Sequence, residues 1–163
     1  MSDATNGDAV PEPGGPAIRN AEPSDHARAL AVIDRWWGGR PMAAMLPRLF
    51  FVHFRATSFV AEEDRRLAGF LCGFGSQTYP DEAYVHFVGV DPALRGRGVG
   101  RLLYAHFFDA VRADGRTVVR AVTSPVNRGS VAFHTSIGFT AEEGGGEGYD
   151  GPGQDRVRFT LHL

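Results

Sequence analysis

The fold of this protein is decided by one stretch of its sequence, VGVDPALRGRGVGR, which runs from Val88 to Arg101. A run of β-forming residues ends at Val90, and Asp91-Pro92 stops it. Three glycines then occur at alternate positions. After them, apolar residues recur every four positions, as on one face of a helix. The stretch therefore predicts a buried strand, a glycine-rich turn and a helix, in that order.

A turn of this kind can bind an anion. Glycine permits positive φ and close approach, so successive backbone N–H groups can converge on one point. The first turn of the helix adds partial positive charge. The stretch therefore predicts a phosphate or pyrophosphate site, with a purely structural turn as the alternative.

The spacing of the glycines narrows the ligand. A dinucleotide fingerprint, G-x-G-x-x-G, does not fit, because the third glycine comes one residue early and Arg101 stands in its place. All basic residues are arginines, so a G-x-x-x-x-G-K-[ST] loop and a Schiff-base lysine are excluded. The pattern that fits is R-x-x-G-x-G, at Arg95, Gly98 and Gly100.

A second motif, NRGSVAFHTSIGF, occupies residues 127–139. With both motifs, the sequence resembles the GNAT superfamily of acyl-CoA-dependent N-acetyltransferases. The first matches the family's R-x-x-G-x-G turn and the second its later N-x-x-[SA]-x-x-[FL]-[YH]-x-x-x-G-F segment. The resemblance covers residues 17–163 as a single domain, and the Pro- and Gly-rich residues 1–16 are predicted to be a disordered tail.

The order of elements agrees with this resemblance. Hydrophobic periodicity and turn signals predict β-α-α-β-β-β-α-β-α-β-β, a mixed sheet with helices on both faces. The family implies a mostly antiparallel sheet of six to seven strands in the α/β (α+β) class. The second helix is predicted at residues 41–54, broken near Pro47, and a long glycine-rich loop at residues 142–155.

Composition excludes other classes of protein. The chain of 163 residues has 17 basic and 19 acidic side chains, which argues against broad nucleic-acid binding. Its single cysteine, Cys72, excludes an internal disulfide and a cysteine-rich metal cluster. No apolar run is long enough to span a membrane, and residues 1–16 lack a secretory signal. We expect a cytoplasmic, bacterial protein with no metal and no membrane or nucleic-acid partner.

The resemblance implies transfer of an acetyl group from acetyl-CoA, as co-substrate, to an amine. In the family, the turn binds the pyrophosphate, the end of the preceding strand pairs with the pantetheine arm, and a backbone N–H near Val90 would stabilise the thioester oxygen. The implied coenzyme residues are Val88, Gly89, Val90, Arg95, Gly96, Arg97, Gly98, Val99, Gly100, Arg101, Asn127, Ser130 and His134.

The proton-transfer residues are less well defined, because two positions depart from the family pattern. Tyr84 stands where some members have a glutamate base. Strict alternation would place Glu82, Tyr84, His86 and Val88 on one face of the strand. His86 is the first candidate base, because its ordinary pKa lies near neutrality, and Glu82 is the second. His134 replaces the family's tyrosine acid. Packed histidines are the alternative at both positions.

The acceptor amine cannot be identified from the sequence. Trp36, Arg40 and Tyr149 are the candidate acceptor residues, from the two segments that usually bind acceptors in this family. Helical geometry predicts that one tryptophan packs inward, and we expect Trp37 in the core with Trp36 as its cover. A homodimer is also possible, as in other members. The main alternative function is a catalytically silent acyl-CoA sensor or interaction module, and a nucleotide-binding protein is a third.

Overall fold

The computed structural model describes residues 14–146 and 148–163, with the backbone alone at residues 143–146. The predicted disordered tail therefore lies outside the described residues, apart from its last three. The helices and strands are β1 Ala17–Asn20, α1 Asp25–Trp36, β2 Ser58–Glu63, β3 Arg66–Gly75, β4 Glu82–Val90, α2 Val99–Ala113, β5 Val118–Thr123, α3 Arg128–Ser136, β6 Thr140–Gly146 and β7 Arg156–His162.

The described strands form one mixed sheet in the order β1-β2-β3-β4-β5-β7-β6. The pair β4–β5 is parallel, and the other neighbours are antiparallel. The predicted fold class is therefore confirmed. The single parallel pair arises because β4 and β5 are joined by a crossover through α2, whereas the antiparallel neighbours β2–β3 and β3–β4 are joined by short turns.

Helices cover both faces of the sheet, as predicted. On one face, α2 buries Leu103 and Phe107 against Leu71 and Phe159, and α3 packs at the edge of the same cluster. On the other face, α1 buries Ile33 and other apolar residues against strands β2 to β4. Successive residues of a strand contribute to opposite clusters, as the period of two requires.

The predicted second helix, at residues 41–54, is not an α-helix. This part of the chain has two separate 3₁₀ turns, Ala43–Met45 and Arg48–Phe51, and a third, Arg55–Thr57, follows it. Pro47 precedes the second of them with an extended backbone, which interrupts the helix at this point. Phe50 and Phe51 are nevertheless buried, so the apolar residues of the segment cover the sheet without a continuous helix.

The predicted loop at residues 142–155 is shorter than expected. Strand β6 continues to Gly146, which pairs with Arg156 of β7 after an irregularity in register. The neighbouring strand offers backbone hydrogen bonds that glycine can use as well as any other residue, so a glycine-rich sequence here extends the ladder. The remaining connection carries Tyr149.

Strand β4 contains a bulge that changes which side chains share a face. Cys72 of β3 pairs with Phe87, but Gly73 pairs with Val85, so His86 has no partner on β3. After the bulge, Phe87 joins the α1 cluster and Val88 turns to the α2 cluster. The expectation that Val88 shares a face with His86 is therefore wrong, because the extra residue reverses the alternation.

Just before the bulge, β4 and β5 separate. Their parallel pairing ends at Tyr84 and Arg120, although β4 continues to Val90. The N–H of Asp91 donates to the carbonyl of Ala68 on β3, so alternation points the N–H of Val90 toward the gap. The separation therefore opens the middle of the sheet and leaves a strand edge facing the opening.

Candidate active site

A cleft of about 720 Å³ lies beside the far end of β4, between the start of α2 and helix α3. The implied coenzyme residues line it, with the exception of Arg97. The lining residues are Trp36, Trp37, Gly38, Arg40, Val88, Gly89, Val90, Leu94, Arg95, Gly96, Gly98, Val99, Gly100, Arg101, Asn127, Gly129, Ser130, Phe133, His134 and Ser136. The two sequence motifs therefore meet at one site.

The glycines of the turn are required for two different reasons. Gly96 and Gly98 have φ of 78° and 84°, a conformation that side chains strongly disfavour, and Gly98 is the N-cap of α2. Gly100 has ordinary backbone angles, but a Cβ there would lie 2.8 Å from Cζ of Phe133. The turn thus exposes backbone N–H groups at a helix N-terminus, and the third glycine lets α3 pack close to it.

The three arginines of the turn have different surroundings. Nη2 of Arg95 donates to the carbonyl of Trp36 at 3.2 Å, which ties the turn to the end of α1. Arg101 donates to Ser136 of α3. Arg97 is directed away from the cleft, because its guanidinium forms an ion pair with Glu63, at 2.8 Å. Arg95 and Arg101 therefore supply the charge beside the turn.

Asn127 begins α3 as a capping residue. Its Oδ1 accepts a hydrogen bond from the N–H of Ser130, at 3.1 Å. This cap uses the oxygen and not the side-chain NH₂ group, and both residues line the cleft. The side chain can thus cap the helix and still donate a hydrogen bond to a ligand.

His134 is buried at the base of the cleft, with a relative exposure of 4%. Its Nδ1–H donates to the carbonyl of Ser130 at 2.7 Å, and its Nε2 lies 2.6 Å from the hydroxyl of Tyr104. Because the carbonyl can only accept, Nδ1 carries the proton and Nε2 accepts from the tyrosine. The ring also stacks on Phe159, with 4.4 Å between centroids.

Burial lowers the pKa of His134, although the hydrogen bond to the Ser130 carbonyl partly opposes this. Burial likewise raises the pKa of Tyr104. His134 is therefore neutral at neutral pH, and both ring nitrogens are engaged. The sequence did not point to Tyr104, because it lies within the apolar stripe of α2 and contacts His134 only in the folded chain.

A second cavity, of about 580 Å³, lies where β4 and β5 are still paired. Strand β4 contributes its first residues to this cavity and its last residues to the cleft, so one strand connects the two. The lining residues are Phe74, Ser76, Tyr79, Glu82, Ala83, Tyr84, Arg120, Ala121, Val122, Tyr149, Arg158 and Phe159. Three residues predicted for catalysis or acceptor binding, Glu82, Tyr84 and Tyr149, are therefore brought together.

Polar groups in this second cavity are held by specific contacts. Arg120 donates to Oε1 of Glu82 from Nε and Nη2, at 3.2 and 3.0 Å, and neither bond uses Oε2. Burial raises the pKa of Tyr84, and the neighbouring Tyr149, which also hydrogen-bonds to it, raises it further. Tyr84 is thus a neutral phenol, and Glu82 is a carboxylate with one oxygen outside the ion pair.

His86, the first candidate base, lines neither of these two cavities. Its Nε2 lies 2.6 Å from the carbonyl of Met45, so that nitrogen carries a proton and donates. The ring stacks on Phe50, with 4.8 Å between centroids. The bulge residue therefore fastens β4 to the 3₁₀ turns that cover the sheet.

The positions of the two tryptophans are the reverse of the expected ones. Trp36 is 3% exposed and stacks on Phe70, whereas Trp37 is half-buried against Phe87 and Gly89. The buried stripe of α1 contains Ala29, Ile33 and Trp36, so Trp36 and not Trp37 faces the core. The prediction that Trp37 is the core residue and Trp36 its cover is therefore wrong.

Arg40 is exposed at the rim of the coenzyme cleft, and it does not line the second cavity. Sequence reasoning missed Arg120 and Arg158, which do line the second cavity. The one signal was a charge inside the apolar run of β5, from Val118 to Val122. Because a charged residue is almost never fully buried unless it is paired, an arginine in such a run indicates a partner or a polar surface beside the strand.

Within the described part of the chain, no helix is long and apolar enough to cross a membrane. Across the same residues, no group of three or more His, Cys, Asp or Glu side chains is arranged to hold a metal ion.

Comparison with known proteins agrees with this geometry. Residues 20–139 match the model of the acetyltransferase (GNAT) family. This chain therefore belongs to the GNAT family of acetyltransferases.

Curated relatives resemble about half of the chain. An L-2,4-diaminobutyric acid acetyltransferase of Nocardia farcinica is 37% identical over 84 residues, which are 52% of this chain and 44% of the relative. The N-alpha-acetyltransferase RimI of Mycobacterium tuberculosis is 37% identical over 79 residues, 45% of this chain and 48% of the relative. The matched part thus spans less than half of each relative.

Solved structures extend the likeness to nearly the whole fold. The diaminobutyrate acetyltransferase EctA from Paenibacillus lautus, in complex with L-2,4-diaminobutyric acid and coenzyme A, has a TM-score of 0.72 at 19% identity. The match covers 90% of this chain and 94% of that one. Ard1 from Thermoplasma volcanium has a TM-score of 0.73 at 20% identity, over 91% and 98%. These likenesses concern the fold.

Proposed function

We propose that this protein is an N-acetyltransferase that moves the acetyl group of acetyl-CoA to a primary amine by direct attack in a ternary complex. The observation that carries the proposal is that β4 runs from the second cavity to the glycine-rich cleft, with an unpaired edge after Tyr84. A coenzyme bound along that edge and an amine in the cavity can meet at the separation of β4 and β5. Relatives named for amine acetylation support the reaction class.

The cleft has the chemistry that acetyl-CoA requires. The turn offers convergent N–H groups and the positive end of α2 to a pyrophosphate, with Arg95 and Arg101 beside them. The edge of β4 offers peptide groups to an amide-rich arm, and Asn127 adds a side-chain donor. Beyond Tyr84, alternate N–H groups of β4 point toward the gap, that of Val90 among them, and the one nearest the second cavity can stabilise negative charge on a thioester oxygen. Acetyl-CoA supplies the activated acyl group.

Glu82 is the proton acceptor in this proposal. It lines the second cavity, its Oε2 is not used by Arg120, and neutral Tyr84 lies next to it on the same face of β4. A carboxylate can attract an ammonium and take its proton, directly or through water. His86 is the weaker candidate, because its Nε2 donates to a backbone carbonyl outside both cavities.

His134 acts as a positioning residue in the proposed mechanism. A neutral imidazole with both nitrogens engaged is a poor acid, so it holds Ser130 and the base of the cleft in place. The leaving thiolate then takes a proton from solvent, or it takes the proton that the amine has released. The second candidate function, a silent acyl-CoA sensor, is favoured by the absence of a glutamate at Tyr84 and a tyrosine at His134.

Two measurements test the proposed function. Calorimetry with acetyl-CoA should show binding, and a thiol-release assay with a library of amines should show acceptor-dependent production of coenzyme A. Absence of acetyl-CoA binding contradicts the enzyme and the sensor together. Binding without acetylation of any small amine, amino acid, polyamine or peptide contradicts the enzyme and supports the sensor.

Replacement of Glu82 by glutamine tests the assigned proton acceptor. We expect E82Q to lower kcat/KM about 10²-fold or more at neutral pH, because general-base catalysis contributes roughly this much. Binding of acetyl-CoA, measured by calorimetry, should be unchanged. The matched control is E63Q, which removes a carboxylate paired with an arginine outside both cavities. Equal activity of E82Q and E63Q would exclude Glu82 as the base.

A further inference from the structure

Two polar residues of β4 line the second cavity, Glu82 and Tyr84, and Tyr84 is the one nearer the coenzyme cleft. Its pairing with Arg120 is the last between β4 and β5, and the two strands separate after it. Glu82 lies two residues farther from that separation, which is roughly 6.6 Å along a strand. An amine that attacks a thioester in the gap therefore passes Tyr84 more closely than Glu82.

The hydroxyl group of Tyr84 can accept a hydrogen bond from that amine. Burial raises the pKa of its phenol, and Tyr149, which hydrogen-bonds to it, raises the pKa further. A phenol that hydrogen-bonds to one neighbour can still accept from a second group, because its oxygen keeps a free lone pair whichever partner donates. Both tyrosines line the cavity. The structure thus presents a neutral hydrogen-bond acceptor at the point where the amine must arrive.

Two contacts hold the ring of Tyr84 in this place. Phe74, its neighbour on β3, is in ring contact with it, with 5.5 Å between centroids. Tyr149 reaches it from the β6–β7 connection, which is tied to β7 by the ion pair between Asp150 and Arg156, at 2.8 Å. The contact with Tyr149 involves the phenol group itself, so this residue can set the direction of the Tyr84 hydroxyl.

We infer that the phenol oxygen of Tyr84 binds the reacting amine at the separation of β4 and β5, and that Tyr149 positions this phenol. The inference rests on the proposed function, since it assigns a catalytic residue and a positioning residue to the same site. Some members of the family have a glutamate base where Tyr84 stands. The tyrosine has a different role here, because it holds the nitrogen and does not take its proton.

The proton steps are those of the proposed function. The ammonium donates one N–H to the oxygen of Tyr84 and loses one proton to Glu82 through water, which leaves a neutral amine. The lone pair of the amine forms the bond to the thioester carbon, and the bond between that carbon and sulfur breaks. The nitrogen loses its second proton to solvent or to the leaving thiolate. Tyr84 remains a neutral phenol throughout, since its burial disfavours the phenolate.

Replacement of Tyr84 by phenylalanine removes the phenol oxygen and keeps the ring. Thiol release is measured with ethylamine, putrescine, L-2,4-diaminobutyrate and trialanine, one acceptor from each class of amine. We expect Y84F to lower kcat/KM about tenfold or more for the best of them, because a hydrogen bond to a charged group contributes roughly this much. The shape of the pH profile should be retained. Unchanged activity would overturn the inference, and so would loss of one limb of the profile, which would make Tyr84 the base.

A double-mutant cycle tests the positioning role of Tyr149. We expect Y149F to lower kcat/KM about threefold or more, and to have no further effect in the Y84F protein, because it acts through the oxygen that Y84F removes. The control is Q154A, in the same connection, because Gln154 is exposed and does not line the cavity. Q154A should be as active as the unsubstituted protein. Additive losses in the double variant would mean that Tyr149 acts on the acceptor directly, which would overturn its positioning role.

Calorimetry with acetyl-CoA separates this inference from the proposed function. Y84F and Y149F should bind acetyl-CoA as the unsubstituted protein does, because neither residue lines the coenzyme cleft. Loss of this binding in Y84F would overturn the assignment of Tyr84 to the amine. If the unsubstituted protein and Y84F acetylate an amine equally well, the inference fails alone. If the unsubstituted protein does not bind acetyl-CoA, or acetylates none of these acceptors, the proposed function fails and the inference fails with it.

Discussion

His134 lies in a buried site that disfavours its charged form. Burial lowers its pKa below the ordinary value of 6.5, so the folded state binds the proton less tightly than the unfolded state does. By linkage, the stability that depends on neutral His134 is complete above about pH 6.5 and is lost as the pH falls below it. The same burial that removes His134 as an acid therefore makes it a pH-sensitive part of the core.

Substitution of His134 tests the predicted direction of this pH dependence. We expect the free energy of unfolding of the unsubstituted protein to fall between pH 6.5 and pH 5, with His134 contributing up to ~1.4 kcal/mol per pH unit. H134Q should show a flatter dependence, because the amide does not titrate. Urea unfolding at several pH values measures this pH dependence. H106Q, on the exposed side of α2, should retain the slope of the unsubstituted protein.

If H134Q and H106Q have the same slope, His134 does not control this pH range. Asp25 does not interfere with the measurement. Burial by itself would raise its pKa, but hydrogen bonds from Arg19, the N–H of Glu22 and Arg28 hold the pKa below its ordinary 3.8. Its contribution to stability is therefore lost only under more acidic conditions.

At the scale of elements, the bulge in β4 depends on a glycine in the neighbouring strand. Gly73 of β3 lies where the register shifts. A Cβ at this position would lie 2.5 Å from Cε2 of Phe107 and 2.8 Å from the carbonyl oxygen of Tyr84. Phe107 is fully buried, so neither neighbour can move freely. Close contact between α2 and the sheet therefore requires glycine here.

We expect G73A to lower the free energy of unfolding by about 1–3 kcal/mol, because overpacking displaces a core ring or the β4 backbone. Chemical denaturation provides the measurement. The control is G129A in α3, where the nearest atom to a new Cβ is Oδ1 of Asn127 at 3.9 Å. It should be neutral or stabilising by up to ~1 kcal/mol. A G73A protein as stable as G129A would contradict the tight packing at the bulge.

At the scale of the whole molecule, one buried carboxylate joins the first strand, the first helix and the second strand. Asp25 is 1% exposed and forms ion pairs with Arg19 of β1 and Arg28 of α1, at 2.8 and 2.9 Å. Both arginines also contact Glu62 of β2. The network fixes α1 on the sheet, and the end of α1 in turn contacts the glycine-rich turn through Arg95.

We expect D25N to lower the free energy of unfolding by about 3 kcal/mol, because removal of one partner of a buried pair leaves the other uncompensated. This is the lower end of the usual range, since the two arginines are partly exposed. The control is D109N, whose 82% exposed side chain pairs with Arg112 on α2. Thermal or urea unfolding should show no measurable change for D109N. Equal stabilities would contradict this role of Asp25.

The coenzyme cleft was largely predictable from the sequence, because its signals are local. Gly96 and Gly98 meet a backbone requirement that a few neighbouring residues impose, and Asn127 caps the helix that follows it directly. The sequence did not show that Arg97 turns away from the cleft, because its partner Glu63 is distant in the sequence. The prediction reversed the places of Trp36 and Trp37, because it put the end of the buried stripe of α1 one residue too late in the sequence.

The acceptor side was much less predictable. Glu82 and Tyr149 come from distant elements, and Arg120 and Arg158 meet them only because β4, β5 and β7 are neighbours in the sheet. The bulge at His86 reverses an alternation that the sequence pattern shows as continuous. No short-range pattern contains these relations, since they depend on which strands pair and in which register.

The sequence by itself determined the family, the order of the elements and the anion-binding turn, because contiguous residues set hydrophobic period, glycine geometry and helix capping. Only the tertiary structure decided which of the candidate groups face the second cavity and which, like His86 and His134, are engaged elsewhere. The physical reason is that a side chain's direction and protonation depend on groups far away in the chain. The separation of β4 and β5, which joins the two cavities, is the clearest case.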